Sequence, residues 1–196
     1  MVQPLKRYPD ESINVNAGPV RGFGESYTQM QQDIIDTMEA EGLEALSAIQ
    51  IGYAYQMMVI KEADGYHTYA NPRVVTQSEP FESEEKSSYF YDTPITVKRY
   101  AKLSIIYEDE KGQMQTKKID EPTLAATFQR KLDYLFNTTL LDRLLPPQRE
   151  AAMRALAGKK YKQCTSCQIG NNIGVIVKRG VAAVVFALGA YMVLGR

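Results

Sequence analysis

The sequence predicts an α+β domain over residues 1–157, a polar linker over 158–172 and a single transmembrane helix over 173–196. The first observation is an order of helix, several strands, helix and helix, which is typical of the α+β class. The second is a run of sixteen residues without a charge, from 180 to 195. The third is that residues 151–196 contain basic residues and no acidic ones.

A helix is predicted over 27–41, because Tyr27, Met30, Ile34 and Met38 recur at helical spacing with polar residues between them. Alternating and β-branched residues then predict four strands, which are 56–61, 66–70, 95–108 and 114–119. This succession of one early helix and several later strands supports the fold class.

Turn signals separate these strands. Asp64-Gly65 predicts a hairpin between the first two, Asn71-Pro72 predicts the end of the second, and the acidic residues 79–85 predict a loop. A second helix is predicted to start near Pro122, because proline is tolerated in a first helical turn, and a last amphipathic helix is predicted over 146–156.

The charge of the chain is unevenly distributed although its net value is zero. Residues 151–196 contain seven basic residues and no acidic one, which leaves 16 basic and 23 acidic residues to 1–150. A basic flank beside an apolar run is typical of membrane segments, and few aromatic residues interleave with these cations. We therefore expect contact with a lipid bilayer and no binding of nucleic acid.

The apolar run from 180 to 195 would be about 24 Å long as a helix. Residues 173–177 extend it to about 35 Å, beyond the ~30 Å hydrocarbon thickness, if Lys178 and Arg179 reach the interface. A buried C-terminal helix is the alternative, but such helices usually carry a polar stripe, which this run lacks. Small residues that would let a partner helix approach closely recur on one face, namely Gly180, Ala183, Ala187 and Ala190.

Cys164 and Cys167 form a lone CxxC pair in the predicted linker. One pair without further cysteines or histidines is a weak zinc signal. A redox pair, a half-site completed by a partner, a juxtamembrane acylation site and two ordinary thiols all remain open. No secretory signal is expected, since Met1–Arg7 runs directly into the predicted domain.

The chain offers few candidate metal ligands. A zinc hydrolase needs about three protein ligands and an open position for water, and His67 is the only histidine. We therefore expect no histidine-based site within one chain. An all-carboxylate site remains open among 23 acidic residues, although their spacing suggests none. His67 is expected on a strand, half-buried or at the surface, without a catalytic partner.

Several short strings occur along the domain in a fixed order, and they are Leu5–Glu11, Gly42–Gly52, Ala70–Pro72, Glu85–Tyr89, Gln129–Tyr134 and Leu140–Leu144. Together they resemble the peptide deformylases, the metal-dependent enzymes that remove formyl from N-terminal methionine. The second string is similar to the family's GxGLAAxQxG segment, the fourth to EGCLS and the fifth to the QHExDH helix. The resemblance covers about residues 4–156 and implies the family's fold.

The resemblance also implies that the three metal ligands and the catalytic glutamate have been replaced. Ser87 stands for the cysteine ligand, Arg130 and Tyr134 stand for the two histidines, and Lys131 stands for the glutamate, whereas Gln50, Gln129 and Asp133 are retained. Cations repel a divalent metal, and a serine hydroxyl stays protonated. The resemblance therefore argues for the fold and against the activity.

Two structural expectations follow from these replacements. Arg130 is expected to pair with Glu85 or Asp133 and to replace the metal as a cross-brace, because a buried cation needs a counter-charge. Aromatic side chains are expected to narrow or fill the old peptide groove, and these are Tyr89, Phe90, Tyr91 and Tyr134.

The sequence thus predicts a pseudoenzyme without a metal, a cofactor or a small-molecule substrate. We expect an accessory or structural subunit of a membrane protein complex, held in the bilayer by residues 173–196. Formyl-methionine processing belongs to bacteria and organelles, so a respiratory-chain or ATP synthase assembly of the mitochondrial inner membrane is favoured, with the domain on the matrix side. The alternative is a membrane-anchored module that binds N-terminal methionine or nascent peptides.

Overall fold

The computed structural model describes residues 1–157, of which Met1–Glu150 form one compact unit. The predicted linker over 158–172 and the predicted membrane segment over 173–196 lie outside the described residues. Within residues 1–157, no helix combines the length and the apolar character that crossing a membrane requires.

The helices lie where the sequence places them. Helix α1 spans Glu25–Glu41 and ends at Gly42, whose φ of 64° is a left-handed conformation that glycine adopts without strain. Helix α2 spans Pro122–Leu135, and the side chain of Glu121 caps its first turn. Helix α3 covers 146–157. The three predicted helices are therefore confirmed to within a few residues.

A single antiparallel sheet contains five strands in chain order. The strands are β1, Ala45–Ser47; β2, Met57–Glu62; β3, Gly65–Glu85; β4, Ile95–Glu108; and β5, Met114–Ile119. Short 3-10 turns follow β1 and β3, at Ala48–Ile51 and Ser88–Phe90. The short strand β1 was not predicted, because three residues are too few to show an alternating pattern.

The strand predicted over 66–70 does not end at Asn71-Pro72, and 79–85 is not a loop; both predictions are wrong, because β3 continues through them to Glu85. The pairing with β4 shifts register between Ala70 and Arg73, which is a bulge. Asn71 has a φ of 50° there, and its side chain hydrogen-bonds both the N–H and the C=O of Val20 at 2.8 Å. A bulge accommodates the proline without ending the strand.

Both faces of the sheet are covered near β2. Met57 and Val59 belong to an apolar cluster with α1, whereas Met58 and Ile60 belong to a cluster with Phe128 of α2. Successive strand residues point to opposite faces, so α1 and α2 pack on opposite sides of the sheet. This arrangement fixes α2 against one face and positions the residues of the predicted site.

Candidate functional site

Helix α2 carries three of the four replaced residues and buries two of them. Lys131 is 3% exposed and Tyr134 is 1% exposed, whereas the side chain of Arg130 keeps 16% of its surface accessible. Arg130 and Tyr134 are four residues apart and therefore share a helix face. The helix thus directs both toward the segment that follows β3.

The side-chain hydroxyls of Ser87 and Tyr134 form a hydrogen bond with each other. Ser87 lies two residues beyond the end of β3, and its Oγ is 2.6 Å from the Tyr134 hydroxyl oxygen. Burial raises the pKa of Tyr134, so its phenol stays protonated. Two of the positions that the resemblance assigns to metal ligands are therefore joined by a buried hydrogen bond between neutral hydroxyls.

Lys131 reaches Gln50 across the site. Its Nζ donates to Gln50 Oε1 at 2.9 Å, and Ser47 Oγ donates to its backbone carbonyl at 2.8 Å. Burial, and next the positive charge of Arg130, lower the pKa of Lys131 well below its usual range. Gln50 is fully buried, and its Nε2 has no hydrogen-bond partner among residues 1–157. The amine of the lysine that stands for the catalytic glutamate is thus buried and hydrogen-bonded to Gln50.

Arg99 on β4 forms the main ionic cross-brace. Its Nε and Nη2 donate to the two Glu85 oxygens at 2.6 and 3.1 Å, and its Nη1 donates to Asp133 Oδ2 at 2.7 Å. Burial alone would lower the pKa of Arg99, but these carboxylates raise it, so the guanidinium stays charged. Arg143, whose side chain is partly exposed to solvent, donates to Asp133 Oδ1 at 2.5 Å. The network joins the end of β3, β4 and α2.

Arg130 forms the predicted ion pair with Glu85, but the pair is long. Its Nη1 lies 3.5 Å from Glu85 Oε2, and its Nη2 lies 3.4 Å from Thr127 Oγ1. Its Nε has no hydrogen-bond partner among the described residues. The predicted pairing of Arg130 with Glu85 is therefore confirmed, and Arg99, which the sequence did not predict, holds both oxygens of the same carboxylate at shorter distances.

The retained residues of the helix have structural contacts. Gln129 Nε2 donates to the Tyr100 carbonyl at 2.8 Å, and its Oε1 accepts from Tyr100 N at 3.2 Å. Asp133 accepts from Arg99 and Arg143. Both therefore fix α2 to its neighbours, which explains their presence without any catalytic role.

The aromatic residues after β3 pack into the body of the domain. Tyr89 and Phe90 are 3% and 0% exposed, and the rings of Tyr89 and Tyr134 are 6.1 Å apart. The Tyr89 hydroxyl donates to Asp10 O at 3.0 Å, and burial raises the pKa of Tyr89 to about 12. The buried Tyr89 ring therefore packs beside Tyr134, in the interior of the domain.

A groove of about 920 Å³ remains open beside α2. Its lining includes Gly42, Leu43 and Glu44 on one side and Leu124 and Thr127 on the other. The four aromatic residues that were expected to fill the peptide groove are not among its lining residues. This groove is not identified with the former peptide groove, so the expectation for the four rings stays a prediction.

The structure also brings together a group that the sequence did not predict. Ligand atoms of Glu62, Asp64 and His67 lie within 4.8 Å of one another at the β2–β3 hairpin. His67 Nε2 is 2.7 Å from Asp64 Oδ1, and Lys117 Nζ is 2.7 Å from both Glu62 oxygens. The sequence analysis considered metal sites made of several histidines or of carboxylates only. It therefore did not predict a site that combines one histidine with two carboxylates. Lys117 already neutralises Glu62 there.

Comparisons with known proteins agree with the fold. Residues 2–150 match the family described as polypeptide deformylase. A protein called peptide deformylase-like from Bradyrhizobium diazoefficiens is 31% identical over 156 residues, which cover 78% of this chain and 91% of the relative. The peptide deformylase of Chlorobaculum parvum is 27% identical over 164 residues, covering 80% and 87%.

Solved structures of peptide deformylases are also similar to this chain. The crystal structure of a peptide deformylase from Legionella pneumophila matches with a TM-score of 0.77 at 28% identity, covering 84% of this chain and 98% of that one. The peptide deformylase of Thermus thermophilus matches with a TM-score of 0.76 at 26% identity, covering 82% and 96%.

We use "the substituted site" for Gln50, Ser87, Arg130, Lys131 and Tyr134. A divalent metal needs deprotonated or neutral lone-pair donors. Here one ligand position is a guanidinium, two are hydroxyls bonded to each other, and a lysine amine lies beside them. This donor set does not fit the divalent metal that the resemblance to the peptide deformylases implies.

Proposed function

We propose that this chain, which belongs to the polypeptide deformylase family, is a non-catalytic member that serves as a structural subunit of a membrane protein complex. The observation that carries the first part is the buried hydrogen bond of 2.6 Å between Ser87 and Tyr134. It joins two of the three positions that would have to bind the metal. Without that metal the fold has no means to activate water.

Lys131 supports the same proposal. A general base must come within hydrogen-bond distance of the substrate proton, whereas the Lys131 amine is bonded to Gln50 Oε1 at 2.9 Å in a side chain whose residue is only 3% exposed. Substrate could reach the amine only after the side chains around it had moved. The site therefore lacks both the metal and an accessible base.

The test of this part is formate release from an N-formylmethionyl peptide in the presence of ferrous, nickel or zinc ions. We expect no metal-dependent release by the full-length chain. The matched comparison is a variant that restores the family's residues, Ser87→Cys, Arg130→His, Lys131→Glu and Tyr134→His, assayed beside an active family member. Metal-dependent turnover by the unaltered chain would contradict the proposal.

The membrane part is supported by the sequence of residues 173–196 and by the basic flank before it. We place the complex in the mitochondrial inner membrane, as a respiratory-chain or ATP synthase assembly, with the deformylase-like domain on the matrix side. Mass spectrometry of proteins that co-purify with the tagged chain in mild detergent tests this. Stoichiometric recovery with one such assembly is expected, and recovery of the chain alone, after extraction from membranes, would contradict it.

A second candidate is a membrane-anchored peptide-binding module. The open groove of about 920 Å³ beside Gly42, Leu43 and Glu44 favours it. The measurement is binding of N-formylmethionyl and free methionyl tripeptides to the full-length chain by calorimetry. Saturable binding that a Glu44→Lys change abolishes would favour the module, whereas no binding would favour the structural subunit.

A further inference from the structure

The β2–β3 hairpin places one histidine beside two carboxylates. Glu62 is the last residue of β2, Asp64 lies in the turn, and His67 is the third residue of β3. The strands pair Ile60 with His67 and Glu62 with Gly65. Paired residues share a face, and so do residues two apart on one strand. Glu62 and His67 are therefore diagonal neighbours on the same face of the sheet.

The separations between the ligand atoms suit a small transition-metal ion. Imidazole nitrogens and carboxylate oxygens bind zinc at about 2.0–2.2 Å, so two ligand atoms of a tetrahedral set lie about 3.4 Å apart. His67 Nε2 is 2.7 Å from Asp64 Oδ1, and both lie within 4.8 Å of a Glu62 oxygen. Side-chain rotations that move these atoms by on the order of 1 Å bring all three to one ion.

Two further residues hold the Glu62 carboxylate in place. Tyr69 is buried, and its hydroxyl donates to Glu62 Oε1. Lys117 of β5 donates to both Glu62 oxygens at 2.7 Å and to the Tyr69 hydroxyl at 2.8 Å. Hydrogen bonds of this kind orient a ligating carboxylate and are typical of the residues that surround metal ligands.

The other two ligands are open to solvent. The side chains of His67 and Asp64 keep 35% and 75% of their surface, so an ion reaches them directly and water completes its coordination. The hydrogen bond with His67 holds the pKa of Asp64 below its usual range, so this carboxylate is deprotonated. Imidazole together with carboxylates suits zinc, nickel or copper, whereas magnesium and calcium take oxygen ligands.

Lys117 is the cation that a metal ion has to displace. Its ammonium shows that a positive charge is stabilised against Glu62, and its side chain keeps 27% of its surface and can turn to solvent. A divalent ion carries twice that charge and binds Asp64 and His67 as well. Removal of Lys117 should therefore strengthen metal binding.

We propose that Glu62, Asp64 and His67 bind one divalent transition-metal ion in exchange for the Lys117 amine. The site shares no residue with the substituted site. The inference therefore stands whether or not the chain is a membrane subunit, and whether or not it has lost deformylase activity.

The experiment follows the His67 imidazole by nuclear magnetic resonance while zinc chloride is added. The full-length chain carries isotope-labelled histidine, is held in mild detergent and is purified with a tag that contains no histidine. Because the chain has one histidine, zinc bound at Cys164 and Cys167 does not move this signal. We expect a saturable shift of the Nε2 resonance with zinc and none with magnesium chloride at equal concentration. No shift at zinc concentrations up to about 1 mM would overturn the proposal.

Three variants separate the hairpin site from a contact with histidine alone. Asp64→Asn should raise the Kd for zinc by about tenfold or more, because it removes a charged ligand. Glu82→Gln removes an exposed carboxylate elsewhere on β3 and should leave the Kd unchanged. Lys117→Met should lower the Kd by about tenfold, because the competing cation is gone. Equal Kd values for Asp64→Asn and Glu82→Gln, or a Kd that does not fall in Lys117→Met, would overturn the proposal. If a variant does not fold, the titration of the unaltered chain still decides.

Discussion

Replacement of Arg99 by methionine should destabilise the domain more than any other single change in the ionic network. Arg99 is 2% exposed and holds Glu85 and Asp133, which are 1% and 6% exposed. Removing one partner of a buried pair costs about 3–5 kcal/mol, because the remaining charge has no compensation. Arg143 stays bound to Asp133 and Arg130 lies 3.5 Å from Glu85, so the lower end, about 3 kcal/mol, is expected.

The assay is urea and thermal denaturation of the full-length chain followed by circular dichroism. A loss of about 3 kcal/mol corresponds to about 6–12 °C in Tm for a chain of this size. Arg99→Lys keeps the charge but loses the two-pronged contact, and it should fall between wild type and Arg99→Met. The neighbouring Lys98→Met is the matched surface control and should stay within about 0.5 kcal/mol. A loss below about 1 kcal/mol for Arg99→Met would refute the assignment of the cross-brace to this residue.

Three further predictions concern the contacts of Lys131 and Tyr134 in the site and of Asn71 at the bulge in β3. The pKa of Lys131 is lowered by burial and by the charge of Arg130, so the folded chain binds fewer protons there than the unfolded chain. The free energy of unfolding should therefore rise with pH between the folded pKa and about 10.4, and Lys131→Met should remove this rise, as urea titrations at stepped pH would measure. Tyr134→Phe should cost about 1 kcal/mol in the same titrations at constant pH, because Ser87 loses its 2.6 Å partner; no loss would contradict a buried bond. Asn71→Ala should lower stability by about 2–3 kcal/mol through lost hydrogen bonds to Val20 and strain at a φ of 50°. Asn71→Gly should cost less by calorimetry, because glycine tolerates that φ, and an equal cost would exclude the strain.

The helices and most strands could be predicted because their signals are local. Four residues recur at helical spacing and all are buried on the inner face of α1, namely Tyr27, Met30, Ile34 and Met38. Strand β3 could not be predicted in full, because Asn71-Pro72 ends a regular strand in most contexts. Here the bulge and the contacts of Asn71 with Val20, 51 residues away in sequence, let the strand continue.

The replaced residues of the site could be located from the sequence, but their contacts could not. The short strings around Gln129–Tyr134 placed Arg130, Lys131 and Tyr134 on one helix. Arg99 was missed because its partners lie 14 and 34 residues away, and no local pattern marks a buried arginine in a strand. The hairpin cluster of Glu62, Asp64 and His67 was missed although its members are close in sequence, because a single histidine beside carboxylates was not considered as a ligand set.

Metal content after purification tests the central claim most directly. The full-length chain is expressed with excess ferrous, nickel or zinc ions, dialysed, and measured by elemental mass spectrometry. The account predicts that no metal is held at the substituted site, so any metal retained is lost in His67→Gln and unaffected by Ser87→Ala. One metal ion per chain that survives His67→Gln and disappears with Ser87→Ala would contradict the account and would restore a metal centre to this member of the family.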